Sequence, residues 1–126
     1  MNHLFVPYEV AVKLKEKGFD ELCLAWYNSK KTLYAKQQDG MGGYMSTMQN
    51  AEVKVEGYCT APLYQQVFQW FRDRHKKFVS IQYTTTTQKD FVITINKRDI
   101  NDARDEEYQT YEEAELAAIK YLINSI

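Results

Sequence analysis

APLYQQVFQWFRDRHKKFVSIQY, residues 61–83, changes its hydrophobic period midway, and that change decides the fold class. In its first part Leu63, Val67, Trp70 and Phe71 recur at three- and four-residue intervals, with Phe68 widening the stripe. This is the pattern of one buried helix face. Thr60 and Pro62 stand where a helix would open, and the spacing predicts a helix from there to about His75. From Phe78 the period drops to two: Val79, Ile81 and Tyr83 share one face, and Ser80, Gln82 and Thr84 share the other. The alternation returns after a turn at residues 86–89, with Phe91, Ile93 and Ile95 facing in and Val92, Thr94 and Asn96 facing out. A helix followed by a hairpin with one covered and one wetter face belongs to an α+β protein.

Working outward, Pro7 opens a helix in which Val10, Ala11 and Leu14 form the inner face, and Gly18 ends it. Residues 22–27 are apolar on both faces and read as a central strand, followed by a turn at 28–31 and a return strand over 32–36. Residues 52–56, EVKVE, alternate perfectly and predict a half-buried strand near the sheet edge, with Lys54 outward against aggregation. Downstream, Thr110 and Glu113 make a capping-box pattern that opens a last helix, with Ala114, Ala117, Ala118, Tyr121 and Leu122 inward. The expected order is α-β-β-β-α-β-β-α: an α+β fold in which an antiparallel or mixed sheet of about five strands carries packed helices. A chain of 126 residues is the size of one domain, so residues 1–126 read as a single domain with a flexible Gly/Met-rich loop near 37–51.

Composition excludes several classes of function. The formal net charge is -1, so no global field favours nucleic acid or an anionic membrane. A basic cluster at residues 72–77 and an acidic stretch at 102–115 read as two solvated surfaces. Two cysteines, Cys23 and Cys59, are too few for a disulfide framework, and no C-x-x-C occurs. The start, MNHLFVPYEV, lacks a basic region and an apolar core, so it does not read as a signal peptide. No apolar run approaches the ~18 residues that span a bilayer. A reducing cytoplasm is the expected compartment.

DGMGGYMSTM, residues 39–48, is the most unusual stretch. Its glycines are followed by Tyr44 and Met45 in place of the lysine and hydroxyl that end a phosphate-binding loop, and it precedes an expected strand, so no helix terminus is offered to an anion. Its Met41, Tyr44, Met45 and Met48 suit an adaptable partner-binding lip for another protein or a second copy; the alternative is a loop that tucks these side chains onto its own core. Cys59, just ahead of the expected second helix, is where a thiol can be acidified. His75, however, lies at the far end of that helix, on the order of 20 Å away, so the two form no nucleophile–base pair. The histidines and cysteines show no zinc-ligand spacing, and the carboxylates at 112–115 sit at a helix start, where they satisfy the helix dipole. The sequence therefore predicts no enzyme, no cofactor and no metal. A second reading is a protein that sequesters a small nucleotide, with Tyr64 and Trp70 stacking on a base and Arg72 and Arg74 pairing its phosphates. A third is a nucleic-acid-binding module using the basic cluster, although the signature of an RNA-recognition fold is absent.

Three stretches, VPYEVAVKLKEKGFDELCLAWY, APLYQQVFQWFRDRHKKFVSIQ and YEEAELAAIKYLI, together resemble a group of small uncharacterised proteins of Bacteroidetes phages and mobile elements, which has no assigned activity. The likeness covers most of the chain and is weakest over the Gly/Met stretch and the acidic loop. It implies a bacterial cytoplasm and a small accessory protein that modulates host machinery or defence, and it carries over no functional residue.

Overall fold

A computed structural model describes residues 4–35, 49–52, 55–83, 91–96, 98–99, 108 and 110–126. The elements are α1 (Tyr8–Glu16), β1 (Ala25–Tyr27), β2 (Leu33–Ala35), a 3-10 turn at Asn50–Glu52, β3 (Cys59–Ala61), α2 (Tyr64–His75), β4 (Val79–Tyr83), β5 (Phe91–Ile95), β6 (Arg98–Asp99) and α3 (Tyr111–Asn124). The fold is α+β, as the change of period implies. Among the described residues its strands form two small antiparallel sheets, β2-β1-β3 and β4-β5-β6, where one sheet of about five strands was expected. Periodicity reports how each strand is covered and carries no information on which strands share a sheet. Two compact units follow the sheets, Met1–Gln66 and Val67–Ile126, with the boundary inside α2. The stretch with Met41, Tyr44, Met45 and Met48, the turn at 86–89 and the acidic residues 102–107 lie outside the described residues. No helix among the described residues is long and apolar enough to cross a membrane.

In the first unit, Pro7 leads into α1, whose Val10, Ala11 and Leu14 are buried as their spacing predicts. The helix closes in a Schellman arrangement: Gly18 N donates to Lys15 O at 3.1 Å, and Phe19 N to Leu14 O at 2.9 Å. Gly18 supplies the left-handed φ of +93° that this ending requires. α1 packs on β3. β1 is central, as its apolar faces suggest, with Trp26 opposite Tyr34 of β2 and Thr60 of β3. Asn28 shapes the turn into β2, its Oδ1 accepting from Lys30 N and Thr32 N, each at 2.9 Å.

Of the strand expected at residues 52–56, the described residues Glu52, Val55 and Glu56 are not in a strand, and residues 53 and 54 lie outside the described residues. Asn50–Glu52 is a 3-10 turn, Val55 is exposed, and the chain turns again at Gly57 before entering β3. The cause lies far away in sequence. Asn50 is buried; its Nδ2 donates to Phe19 O at 2.7 Å, and its Oδ1 accepts from Thr60 N at 2.9 Å. Asp20 Oδ1 accepts from Ala51 N at 2.8 Å. These bonds fix a turn where local alternation alone favours a strand. Thr60, expected to open the second helix, is instead a strand residue of β3. α2 begins at Tyr64, where Gln66 Oε1 accepts from Leu63 N at 2.9 Å, half of a capping box.

In the second unit, β4 and β5 pair with Val79 opposite Ile95 and Tyr83 opposite Phe91, so the faces follow the alternation of the sequence. α3 packs on both strands. Ile93 and Ile95 are buried, whereas Val79 and Ile81 are only half-buried, so apolar cover thins from β5 toward β4. Asn96, at a left-handed φ of +50°, ends β5; its N donates to Phe78 O and its Oδ1 accepts from Phe78 N, both at 2.8 Å. The cap of α3 forms as its sequence predicts, Thr110 Oγ1 accepting from Glu113 N at 3.1 Å. The buried arc of α3 is Ala114, Glu115, Ala118, Ile119, Leu122 and Ile123. It is rotated toward the larger Ile119 and Ile123, which leaves Tyr121, expected inward, exposed and Ala117 half-buried. Val67, Phe68, Trp70 and Phe71 of α2 are buried, as predicted.

Candidate functional site

The register of β4 and β5 brings Tyr83 beside Phe91, with ring centroids 5.5 Å apart at 64°. The Thr110 cap sets where α3 begins, and its first residue, Tyr111, also meets Phe91 edge-on, at 6.0 Å and 77°. Three elements thus place three aromatic rings in a row. Phe91 is half-buried and anchors the row, whereas Tyr83 is 64% exposed and Tyr111 41%. Exposed Glu112 and Glu113 follow directly on α3. Such a row offers broad, rigid contact area with phenolic hydroxyls at its rim, which suits recognition of a macromolecular surface. A smaller aromatic pair lies in the first unit, where half-buried Trp26 stacks on exposed Tyr34 at 5.9 Å and 19°.

The cluster is absent from the sequence-based candidates. Its signal was Tyr83 on the Val79–Ile81 face and Tyr111 directly after the cap; both read as ordinary parts of a covered face and a helix start. Of the four residues of the nucleotide reading, all on α2, Tyr64 and Trp70 are buried, at 8% and 5% exposure. Trp70 packs edge-on against Phe71 at 5.0 Å and His75 at 4.8 Å. Arg72 is half-buried and Arg74 exposed, so this set presents guanidinium groups without an open aromatic face beside them.

Both cysteines are free and buried. Cys59 lies in β3 opposite Tyr27, away from the helix start that could have acidified it. Burial pushes its thiol up to about 11, slightly opposed by the Lys15 ammonium. Burial likewise pushes Cys23 up to about 11; the Thr60 hydroxyl opposes this, and Glu21 and Asp20 add to it. The Thr60 contact is electrostatic and falls short of hydrogen-bond geometry, since the buried Oγ1 of Thr60 has no partner among the described residues. Both thiols are therefore protonated at neutral pH, the unreactive form. Among the described residues no group of three or more His, Cys, Asp or Glu side chains is placed to hold a metal ion.

No family model matches the chain, and neither a curated protein nor a solved structure matches it.

Proposed function

We propose that this protein is a non-enzymatic accessory protein that works by binding another macromolecule in a bacterial cytoplasm, in the setting of a phage or mobile element, where it modulates host machinery or defence. The observation that carries the binding reading is the row Tyr83–Phe91–Tyr111, two members of which expose about half of their surface. Aromatic side chains left this open and held edge to face are the kind that anchor protein interfaces. Two protonated, buried thiols fit the same reading, because they offer no nucleophile. The phage setting rests on the resemblance of the three stretches quoted above.

The test is quantitative capture of host proteins by purified wild type and by the Tyr83→Ser/Tyr111→Ser double variant. The variant should keep the wild-type melting temperature to within the small change expected of exposed positions, and it should lose the captured protein. Identical capture by both would remove the aromatic row from the function.

A further inference from the structure

β4 is the outer strand of its sheet, and its backbone pairing defines which groups point outward. Asn96 N donates to Phe78 O at 2.8 Å, and the Asn96 side chain stands in for its carbonyl toward Phe78 N, so this position is in the hydrogen-bonded phase of the antiparallel ladder. With the register Val79–Ile95 to Tyr83–Phe91, the even-numbered residues Ser80 and Gln82 then turn their N–H and C=O groups toward β5. Val79, Ile81 and Tyr83 turn theirs toward the open edge, where no strand among the described residues pairs with them. Natural edge strands are usually guarded by a lysine, a proline or a bulge. The run Phe78–Val79–Ser80–Ile81–Gln82–Tyr83 contains no charge and no proline, and its pairing with β5 is regular throughout.

We infer that β4 pairs with β4 of a second copy of this chain, antiparallel about a twofold axis at Ile81, joining two three-stranded sheets into one of six strands. The inference rests on the surface-binding reading above and names one partner for that surface. The occupant follows from self-complementarity. Only a pairing centred on Ile81 sets Ile81 against itself and Val79 against Tyr83 of the other copy, so that every outward N–H and C=O of the three meets its counterpart. That yields about six backbone hydrogen bonds. It also lays a β-branched side chain beside an aromatic one at each end, a favourable cross-strand pair. The half-buried Val79 and Ile81 side chains, which α3 covers incompletely, gain cover from the same residues of the second copy. On the opposite face exposed Ser80 meets Gln82 of the other copy, two uncharged side chains able to hydrogen-bond. The association is isologous and closes on itself, as a twofold dimer must.

The test uses light scattering on the full chain, with a far-UV melting curve for each variant. Wild type should show a concentration-dependent dimer. Ser80→Lys/Gln82→Lys places like charges directly opposite each other twice across the axis and should weaken the dimer by roughly ten- to thirtyfold. Ser80→Glu/Gln82→Glu should do the same, and an equimolar mixture of the two variants should restore a dimer. Recovery in the mixture excludes misfolding as the cause, since two unfolded variants would not pair. A monomeric wild type at millimolar concentration overturns the inference, as does a lysine variant that dimerises like wild type. Neither result touches the aromatic row, because Tyr83 and Tyr111 are intact in these variants and host-protein capture is read separately.

Discussion

The first unit directs polar side chains inward, onto its own backbone. Asn50 ties Phe19 to Thr60, Tyr27 Oη donates to Val6 O at 2.7 Å, Lys15 Nζ donates to Tyr58 O at 2.8 Å, and Gln66 Nε2 donates to Leu22 O at 2.7 Å. The second unit rests its sheet under the buried arc of α3, apolar except for Glu115, and leaves the half-covered strand β4, the rings of Tyr83 and Tyr111 and Phe78 (54% exposed) at its surface. Two sheets of three strands each therefore differ in how they are held and in what they leave at the surface. The first unit, although closed by long-range polar bonds, still exposes Leu4, Leu22, Tyr34 and Val55, but its aromatic surface is the smaller Trp26–Tyr34 pair. A unit held by apolar cover that thins at an edge has contact chemistry there by construction.

Among single substitutions, the contrast is broken most severely through the core of the second unit. Phe71 is fully buried against Trp70 and His75. Phe71→Ala should cost about 3–5 kcal/mol, enough to unfold a marginal domain. Chemical denaturation measures this, and a wild-type midpoint would mean that apolar cover is not what holds this unit.

The thiols sharpen the picture of the first unit. Below pH 9 Cys23 and Cys59 are protonated whether the chain is folded or not, and their contribution is fully present. Between the ordinary value of 9.0 and the native value of about 11 the unfolded chain releases protons that the native state holds, so stability falls as pH rises. The loss should reach roughly 2–3 kcal/mol for each thiol by pH 11. Tyr27, also raised by burial, acts in the same direction. Urea midpoints taken from pH 8 to 10.5 should decline steeply for wild type and more gently for Cys23→Val/Cys59→Val. Equal slopes would mean that the thiols are wetter than their burial indicates.

Asn50→Ala gives the smallest of the three effects and the most local. It removes the side-chain bonds to Phe19 O and Thr60 N, at a cost of about 2 kcal/mol. Hydrogen exchange should speed up at the Thr60 amide and stay unchanged at Ile93 in β5. A uniform increase would show that the two units do not respond separately.

Much of the fold was legible because it is locally encoded. Pro7 and Gly18 bracket α1, Thr110 caps α3, and the alternation of residues 78–83 and 91–95 gives both the strands and their shared face. β3 was illegible for a physical reason. Its three residues sit beside Pro62, and its place is fixed by Asn50, ten residues earlier, whose other bond reaches back to Phe19. At the start of EVKVE, by contrast, a strong local pattern yields at Glu52 to the tertiary bonds of Asn50 and Ala51, which hold Asn50–Glu52 in a 3-10 turn. The aromatic row was hidden for a related reason. Tyr83 has the pattern of an inward residue, and only the thinning of cover at the outer strand turns it into surface.

Gly57 carries a constraint that runs in one direction only. A Cβ placed there would meet Ser29 Cβ at 2.8 Å and Ser29 Cα at 3.2 Å, and φ at this position is +83°. Removing the serine side chain relieves the first contact, but not the second contact or the backbone conformation. In a saturation library, position 57 should therefore stay fixed as glycine in every background. Position 29, exposed on its turn, should accept wide variation as long as that glycine remains. One member of a touching pair is then frozen and the other free, so pairwise swaps between them cannot restore what the first one loses.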